Sequence, residues 1–231
     1  MYQRYAVFFT PPPGPLADFG AAWLGWDARH ACPARHPAYP GLDLEELTHT
    51  PRRYGFHATL KAPFRPSEGV SEIDLCRAVQ HLAGELAPVL LEDVAPTYRH
   101  GFLALRPAGG SAPDTPLGQL AARVVCDLDP LRAPLDAEDL ARRQTGRLSP
   151  RQRQFLSDWG YPFVLDDFAF HLTLSGRIDS ATAENILTAL RDLMPDSLYK
   201  PLAVDALSLL GEAPNGKFLE IGRFPLGEVT T

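Results

Sequence analysis

The sequence predicts an α+β fold in which two similar lobes enclose a central cleft. Three observations support this prediction. The chain has 231 residues, which is between one and two domains of about 150 residues each. A five-residue pattern occurs twice, about half the chain apart, and each half shows the order strand, helix, strand, strand. We therefore expect a single bilobal domain over 1–231, with a first lobe at 1–110 and a second at 111–231.

In the first half, residues that begin or end helices and strands locate the predicted elements. The β-rich amino-terminal segment ends at three prolines that begin with Pro11, as a strand does. Ser71 is a suitable N-cap for the helix that follows it. A long polar segment at 27–53 is either a functional connection or a mobile one. Strands are predicted at 2–9, 54–64, 89–94 and 98–106, and helices at 16–24 and 72–86.

The second half begins after a linker rich in glycine and proline at 107–116. Asp136 and Ser149 are candidate N-caps, and Pro150 stands at the first helical position after Ser149. A turn at 214–216 separates the last two strands. Helices are predicted at 116–128, 136–144, 150–158 and 180–193, and strands at 168–175, 202–210 and 217–224.

Each predicted lobe is thus an antiparallel sheet with helices on its outer face. The segments 27–53 and 136–160 are candidate lids over the cleft, and the sequence does not decide whether either one closes. It also leaves the oligomeric state open.

Composition excludes several classes of function. The net charge of −6 disfavours binding to DNA or long RNA, which needs a basic face. The three cysteines form no close pair, which is typical of a reducing compartment. The amino-terminal apolar run is too short for a signal sequence, and no apolar stretch approaches the ~18 residues of a membrane span. We expect a cytoplasmic protein with no membrane partner.

The repeated pattern is Phe-His-x-Thr-Leu, with histidines at His57 and His171. Alternate residues of a strand point to opposite faces. His57 and Thr59 therefore share a face with Lys61, while His171 and Thr173 share one with Ser175. The intervening apolar residues can pack on helices. If the lobes face each other, two histidines and two threonines meet in one cleft.

This combination of side chains suits chemistry on a phosphate ester. One neutral imidazole can accept a proton while a protonated one donates to the departing oxygen, because the ordinary histidine pKa lies near neutrality. Threonine hydroxyls can donate hydrogen bonds to the non-bridging phosphate oxygens. The scheme requires neither a metal nor a cofactor.

The paired motifs resemble those of the 2H phosphoesterase superfamily, which includes RNA ligase-like cyclic phosphodiesterases and cyclic nucleotide phosphodiesterases. The longer context Arg-Arg-Tyr-Gly-Phe-His-Ala-Thr-Leu-Lys-Ala-Pro-Phe at 52–64 is similar to a bacterial branch encoded beside phosphonate-degradation genes. The resemblance implies that His57 and His171 are the acid/base pair. It also implies that Thr59 and Thr173 are phosphate ligands.

Five further residues are candidates for substrate binding. Many members of the superfamily carry a small hydroxyl residue two positions after the threonine. Ser175 fits this pattern in the second motif. In the first motif Lys61 stands at that position, where it would add a cation for a further phosphate. Tyr54 and Arg52 precede the first motif, and Tyr98 opens a strand that could border the cleft.

We therefore expect a phosphoric diester hydrolase that acts without a metal on a small or cyclic phosphodiester. The resemblance suggests a ribose cyclic phosphate linked to phosphonate metabolism as substrate. A nucleoside or RNA-end 2′,3′-cyclic phosphate is the alternative substrate. A non-catalytic module that binds a nucleotide or phosphosugar, and a metal-dependent hydrolase, are the alternative functions.

Overall fold

Helices and antiparallel sheets make up this computed structural model, which describes residues 2–143 and 148–227. The predicted α+β class is therefore confirmed. In the part of the chain that the structure describes, no helix is long and apolar enough to cross a membrane.

Most strands lie close to the predicted positions. The strands are β1 (Tyr5–Phe9), β2 (Trp26–Asp27), β3 (Cys32–Pro33), β4 (Ala58–Phe64), β5 (Val89–Leu91), β6 (Val94–Arg99), β7 (Phe102–Pro107), β8 (Leu172–Thr173), β9 (Leu202–Val204), β10 (Ala206–Glu212) and β11 (Phe218–Pro225). Strands β2 and β3 were not predicted, and β8 contains only two of the eight residues predicted at 168–175.

The predicted helices are all present, with two short additional ones before β4. They are α1 (Pro15–Leu24), α2 (Leu44–Leu47), α3 (His49–Arg52), α4 (Glu72–Glu85), α5 (Pro116–Asp127), α6 (Ala137–Arg143), α7 (Pro150–Trp159) and α8 (Ser180–Leu193). Short 3-10 turns lie at Asp129–Leu131, Leu165–Asp167 and Asp196–Leu198.

Ser71 and Ser149 cap α4 and α7 as expected. Each hydroxyl accepts a hydrogen bond from the backbone three residues on, and the side chain at that position bonds back to the serine backbone. Both helices therefore begin with a complete capping box, which satisfies two otherwise unpaired N–H groups.

Two sheets carry the repeated motifs. The larger has the order β11-β10-β1-β4, and the smaller has the order β6-β7-β8; both are antiparallel throughout. Each sheet combines strands from both halves of the sequence, because β10 pairs with β1 and β8 pairs with β7. The sheets therefore do not divide at residue 110, where the sequence suggested a lobe boundary.

The apolar faces of both sheets join one hydrophobic core. Helices α4 and α5 pack on the larger sheet and α8 on the smaller. The Trp23 indole nitrogen of α1 donates a hydrogen bond of 2.7 Å to the Leu174 carbonyl, which links the amino-terminal helix to the second motif. This packing leaves the opposite, polar side of each motif strand for the site.

The main departure from the predicted elements is a tight hairpin between β6 and β7. The sequence predicts one strand over 98–106, but the chain turns at His100 and Gly101, which have φ angles of 55° and 83°. Positive φ at both central residues is the type I′ geometry that joins antiparallel strands. Arg99 then pairs with Phe102 across the hairpin.

Candidate functional site

The first motif places His57 against two aromatic rings. Its imidazole stacks on Phe8 of β1 at 3.9 Å between ring centroids, and Tyr54 lies at 5.8 Å. Nδ1 is 2.9 Å from the Gly55 carbonyl oxygen. A carbonyl only accepts hydrogen bonds, so Nδ1 carries the proton and Nε2 has the lone pair. The Thr59 hydroxyl donates to Nε2 at 3.2 Å.

The second motif repeats this local geometry. His171 Nδ1 is 2.7 Å from the Ala169 carbonyl oxygen, again two residues earlier in the chain. Nδ1 is therefore the protonated nitrogen here as well, and Nε2 is the basic one. The Phe102 ring meets the imidazole edge-on at 5.5 Å. Both histidines are thus held as the same tautomer by the same kind of bond.

The two imidazoles influence each other electrostatically. Burial lowers the pKa of His57 to about 4, and the nearby His171 contributes to the decrease. Burial also lowers the pKa of His171, and the positive charge of Arg106 acts in the same direction. Both rings are therefore neutral at neutral pH, and they lie close enough for the charge of one to affect the other.

Exposed and buried side chains alternate around both histidines, as predicted for the two motifs. His57, Thr59, His171 and Thr173 are partly exposed. The intervening apolar residues are buried: Phe56, Ala58, Leu60, Phe170, Leu172 and Leu174. The two threonines thus lie on the histidine side of each strand, and their predicted role as phosphate ligands stays a prediction.

Tyr54 is a neighbour of the first histidine, and its predicted role in substrate binding stays a prediction. Its ring also stacks on Phe218 of β11 at 5.0 Å, and its hydroxyl accepts a hydrogen bond from Arg53. Tyr54 therefore forms an aromatic wall beside His57.

Lys61 does not lie with these groups. The pairing of β1 with β4 contains bulges: Val7 pairs with Lys61 and Phe8 with Thr59, which leaves Leu60 as an extra residue. A bulge interrupts the two-residue alternation of a strand, so the prediction that Lys61 shares the His57 face was wrong. Its buried ammonium donates to the Asp129 carboxylate at 2.9 Å and to the Val125 carbonyl at 3.0 Å.

Ser175 has a structural role at the end of β8. Its hydroxyl accepts a hydrogen bond of 2.9 Å from the Leu103 N–H and donates one of 2.9 Å to the Gly176 carbonyl. β8 ends at Thr173, and the serine side chain takes the place of the next ladder partner. Its hydroxyl is therefore committed to the backbone, contrary to the expected contact with substrate.

Tyr98 lies on the other side of the smaller sheet from His171. It pairs with Leu103, whereas Thr173 pairs with Ala104, one residue further along β7. Adjacent residues of a strand point to opposite faces. The Tyr98 hydroxyl donates to the Ile178 carbonyl at 3.0 Å. The unrecognised hairpin explains why the sequence placed this residue at the cleft.

Arg52 holds the segment before the first motif together. Its guanidinium donates to the Leu24 carbonyl at 2.9 Å and to the Glu45 carbonyl at 2.7 Å, so it joins the end of α1 to α2. It is not one of the groups gathered around His57.

The two candidate lids are tied to the rest of the fold. In the segment 27–53, the Ala28 carbonyl accepts a hydrogen bond of 2.8 Å from the Glu220 N–H of β11. In the segment 136–160, Arg65 pairs with Asp136 and Asp139. Residues 144–147 of that segment lie outside the described ranges. Closure of either segment stays a prediction.

Four residues near the histidines were not identified from the sequence. Phe8 and Phe218 flank the first motif, and Phe102 and Arg106 flank the second. Each reaches the site through a strand pairing distant in sequence, which no local pattern indicates.

The site offers no obvious metal centre. Across 2–143 and 148–227, the structure contains no group of three or more His, Cys, Asp or Glu side chains that could hold an ion.

Together, these features define an α+β protein with paired His-x-Thr strands. Residues 59–219 match the model of the family described as "Protein of unknown function (DUF1045)". The chain belongs to this family.

Two curated relatives align along nearly all of the chain. Both are named "Ribose 1,5-bisphosphate phosphokinase PhnN". The protein from Janthinobacterium sp. (strain Marseille) is 38% identical, with 96% of this chain and 50% of the relative covered. The protein from Laribacter hongkongensis (strain HLHK9) is 34% identical, with 96% and 51% covered. The chain spans about half the length of the curated relatives it matches.

These names correct the enzyme class expected from the sequence. Both relatives are named as a kinase, which transfers a phosphoryl group to an acceptor, and not as a phosphoric diester hydrolase. The assignment to the hydrolases, which depended on the 2H resemblance, is therefore wrong on this comparison.

Proposed function

We propose that this chain catalyses phosphoryl transfer on a small phosphorylated sugar, with His57 and His171 as an acid/base pair of the 2H type. The observation that carries the proposal is the arrangement of the two imidazoles. Each is locked by its Nδ1 hydrogen bond, and the charge of one affects the pKa of the other.

In the proposed reaction, one imidazole Nε2 removes the proton from the attacking oxygen as the new P–O bond forms. The second imidazole donates a proton to the departing oxygen as the old P–O bond breaks. Each proton transfer contributes typically about 10²–10⁴ in rate. Thr59 and Thr173 donate hydrogen bonds to the non-bridging oxygens, where negative charge accumulates.

Substrate binding favours uptake from solvent of the proton that this scheme needs. Both imidazoles are neutral in the free protein because burial lowers their pKa values. An anion placed between them favours the charged form of a histidine. A phosphate ester is therefore both the ligand and the group that converts one histidine into an acid.

The relatives suggest the class of sugar. Their names contain ribose 1,5-bisphosphate, a small sugar with two phosphate groups, and the proposed placement of an anion between two histidines suits such a ligand. The name PhnN also supports the connection to phosphonate metabolism that the 52–64 context suggests.

A second candidate for phosphate binding fails on its geometry. Gly211 to Lys217 has the spacing G-x-x-x-x-G-K, but Phe218 follows where a P-loop has serine or threonine. The segment joins β10 to β11 as a hairpin and is not followed by the helix that a P-loop requires. The Lys217 ammonium lies 4.0 Å from the centre of the Trp26 ring.

The proposal is tested by following the phosphorus nuclei of candidate substrates. The full chain is incubated with ribose 1,5-bisphosphate, ribose 5-phosphate and a ribose cyclic phosphate, each with and without ATP, and ³¹P NMR spectra are recorded. We expect at least one ester to convert, and we expect His57→Ala and His171→Ala each to reduce the rate at least about 100-fold.

The same experiment can overturn the proposal. Ester binding without conversion in any mixture would make the chain a binding module. If the ester is still converted at the full rate after substitution of one histidine, that histidine does not act in the reaction. Ser180→Ala, at the exposed start of α8, serves as a control that should retain the full rate.

A further inference from the structure

Arg106 lies beside the histidine of the second motif. In the pairing of β7 with β8, Ala104 faces Thr173 and Leu105 faces Leu172. Continued by one position beyond the end of β8, this register would bring Arg106 opposite His171. The positive charge of Arg106 lowers the pKa of His171, which agrees with the two side chains sharing one face of the sheet.

The Arg106 guanidinium carries hydrogen-bond donors that are not used. Nε and Nη2 are shielded from solvent, and neither has an acceptor within the described ranges. Leaving a shielded donor unpaired costs free energy, and the cost is larger for a charged group. Nε and Nη2 together form one edge of the guanidinium, the edge that binds two oxygens of a phosphate side by side.

The surroundings of Arg106 favour an anion. The Phe102 ring covers the guanidinium at 4.6 Å, and the same ring meets His171 edge-on. Arg99 is a second cation close enough to lower the pKa of Arg106. Burial is the main cause of that decrease. Two cations and an imidazole thus stand together, a set that an oxyanion would neutralise.

We propose that Arg106 binds two oxygens of the phosphoryl group that reacts beside His171. The residue as a whole is partly exposed, so an anion can reach the guanidinium from solvent. This inference rests on the proposed function, because it places the phosphoryl group between the two motifs. It makes Arg106 a substrate-binding residue that no sequence pattern indicated.

The test measures binding of inorganic phosphate to the full chain by titration calorimetry at fixed ionic strength. Loss of a charged hydrogen-bond pair in Arg106→Gln should weaken phosphate binding about 10- to 100-fold. Arg106→Lys keeps the charge but lacks the planar fork, and we expect it to weaken binding about tenfold. Arg77→Gln is the matched control, since it removes an exposed cation of helix α4 and should change binding less than about threefold.

A second readout separates substrate binding from a purely structural role. Without the nearby positive charge, the pKa of His171 in the free Arg106→Gln variant should rise, as followed by NMR of the ring protons. Phosphate binding that is unchanged in both Arg106 variants overturns the inference. The His57→Ala and His171→Ala rates then decide the proposed function independently. A wild-type chain that binds no phosphate and converts no ester would overturn both.

Discussion

The low pKa of His57 predicts a specific pH dependence of stability. An unfolded histidine titrates near 6.5, whereas the folded His57 titrates at about 4. Between these values the unfolded chain binds more protons than the folded one. The free energy of unfolding therefore rises with pH across this window. The contribution of His57 to stability is lost as the pH falls from 6.5 to about 4. His171 acts in the same direction, because its pKa is also lowered.

The magnitude follows from the same difference. At about 1.4 kcal/mol per pH unit, the range from 6.5 to about 4 corresponds to about 3 kcal/mol for His57. The ring is partly exposed, so solvent screening reduces the effect, and we expect about 1.5–2 kcal/mol. The carboxyl groups with lowered pKa values start from 3.8 and titrate mostly below this window.

The assay is urea denaturation of the wild type and of His57→Gln at several pH values between 4 and 7. Between pH 7 and pH 4, the free energy of unfolding should fall by about 1.5–2 kcal/mol less in the variant than in the wild type. This difference does not depend on the absolute stability of the variant at pH 7. Gln80→Ala is the control, since it changes an exposed side chain of α4 that carries no titrating group, and it should leave the slope unchanged. An unchanged slope in His57→Gln would refute the assignment of this dependence to His57.

Three further predictions concern buried polar groups and the anion site. Ser175→Ala leaves the Leu103 N–H without its acceptor and should cost about 1–3 kcal/mol of stability by urea denaturation; a neutral result would contradict the structural role of the hydroxyl. Asp129→Ala leaves the buried Lys61 ammonium without its carboxylate and should cost about 3–5 kcal/mol, more than the Asp129→Ala, Lys61→Met double variant; equal losses would show that the pair is not coupled. Phosphate binding should take up a proton at pH 7, because the anion raises the pKa values of both site imidazoles; calorimetry in buffers of different ionisation enthalpy measures this uptake, and identical apparent enthalpies would contradict it.

The sequence predicted the elements better than their pairing. Capping serines, prolines and the spacing of apolar residues are local signals, and they located α4, α7 and the motif strands. The hairpin at His100 and Gly101 lacked the Asn-Gly or Asp-Gly signature of a type I′ turn, so one strand was predicted where the chain reverses. The association of β10 with β1 depends on contacts distant in sequence, and no local pattern encodes it.

In the candidate site, too, the sequence predicted local features better than contacts between distant segments. The alternation that puts His57 and Thr59 on one face is a local property, and the structure retains it. It fails at Lys61, because bulges in β4 turn that residue into the interior. Ser175 lies past the end of β8 and bonds to the backbone. Only the register of β7 with β8 indicates that Arg106 lies near the second motif.

The most direct test of the account asks whether the two imidazoles face one anion. NMR titration of the ring protons of His57 and His171, with and without saturating inorganic phosphate, measures the pKa of each histidine separately. The account predicts low pKa values for both in the free protein and a rise in both when phosphate is bound. A rise confined to one histidine, or to neither, would show that the two motifs do not form a common site.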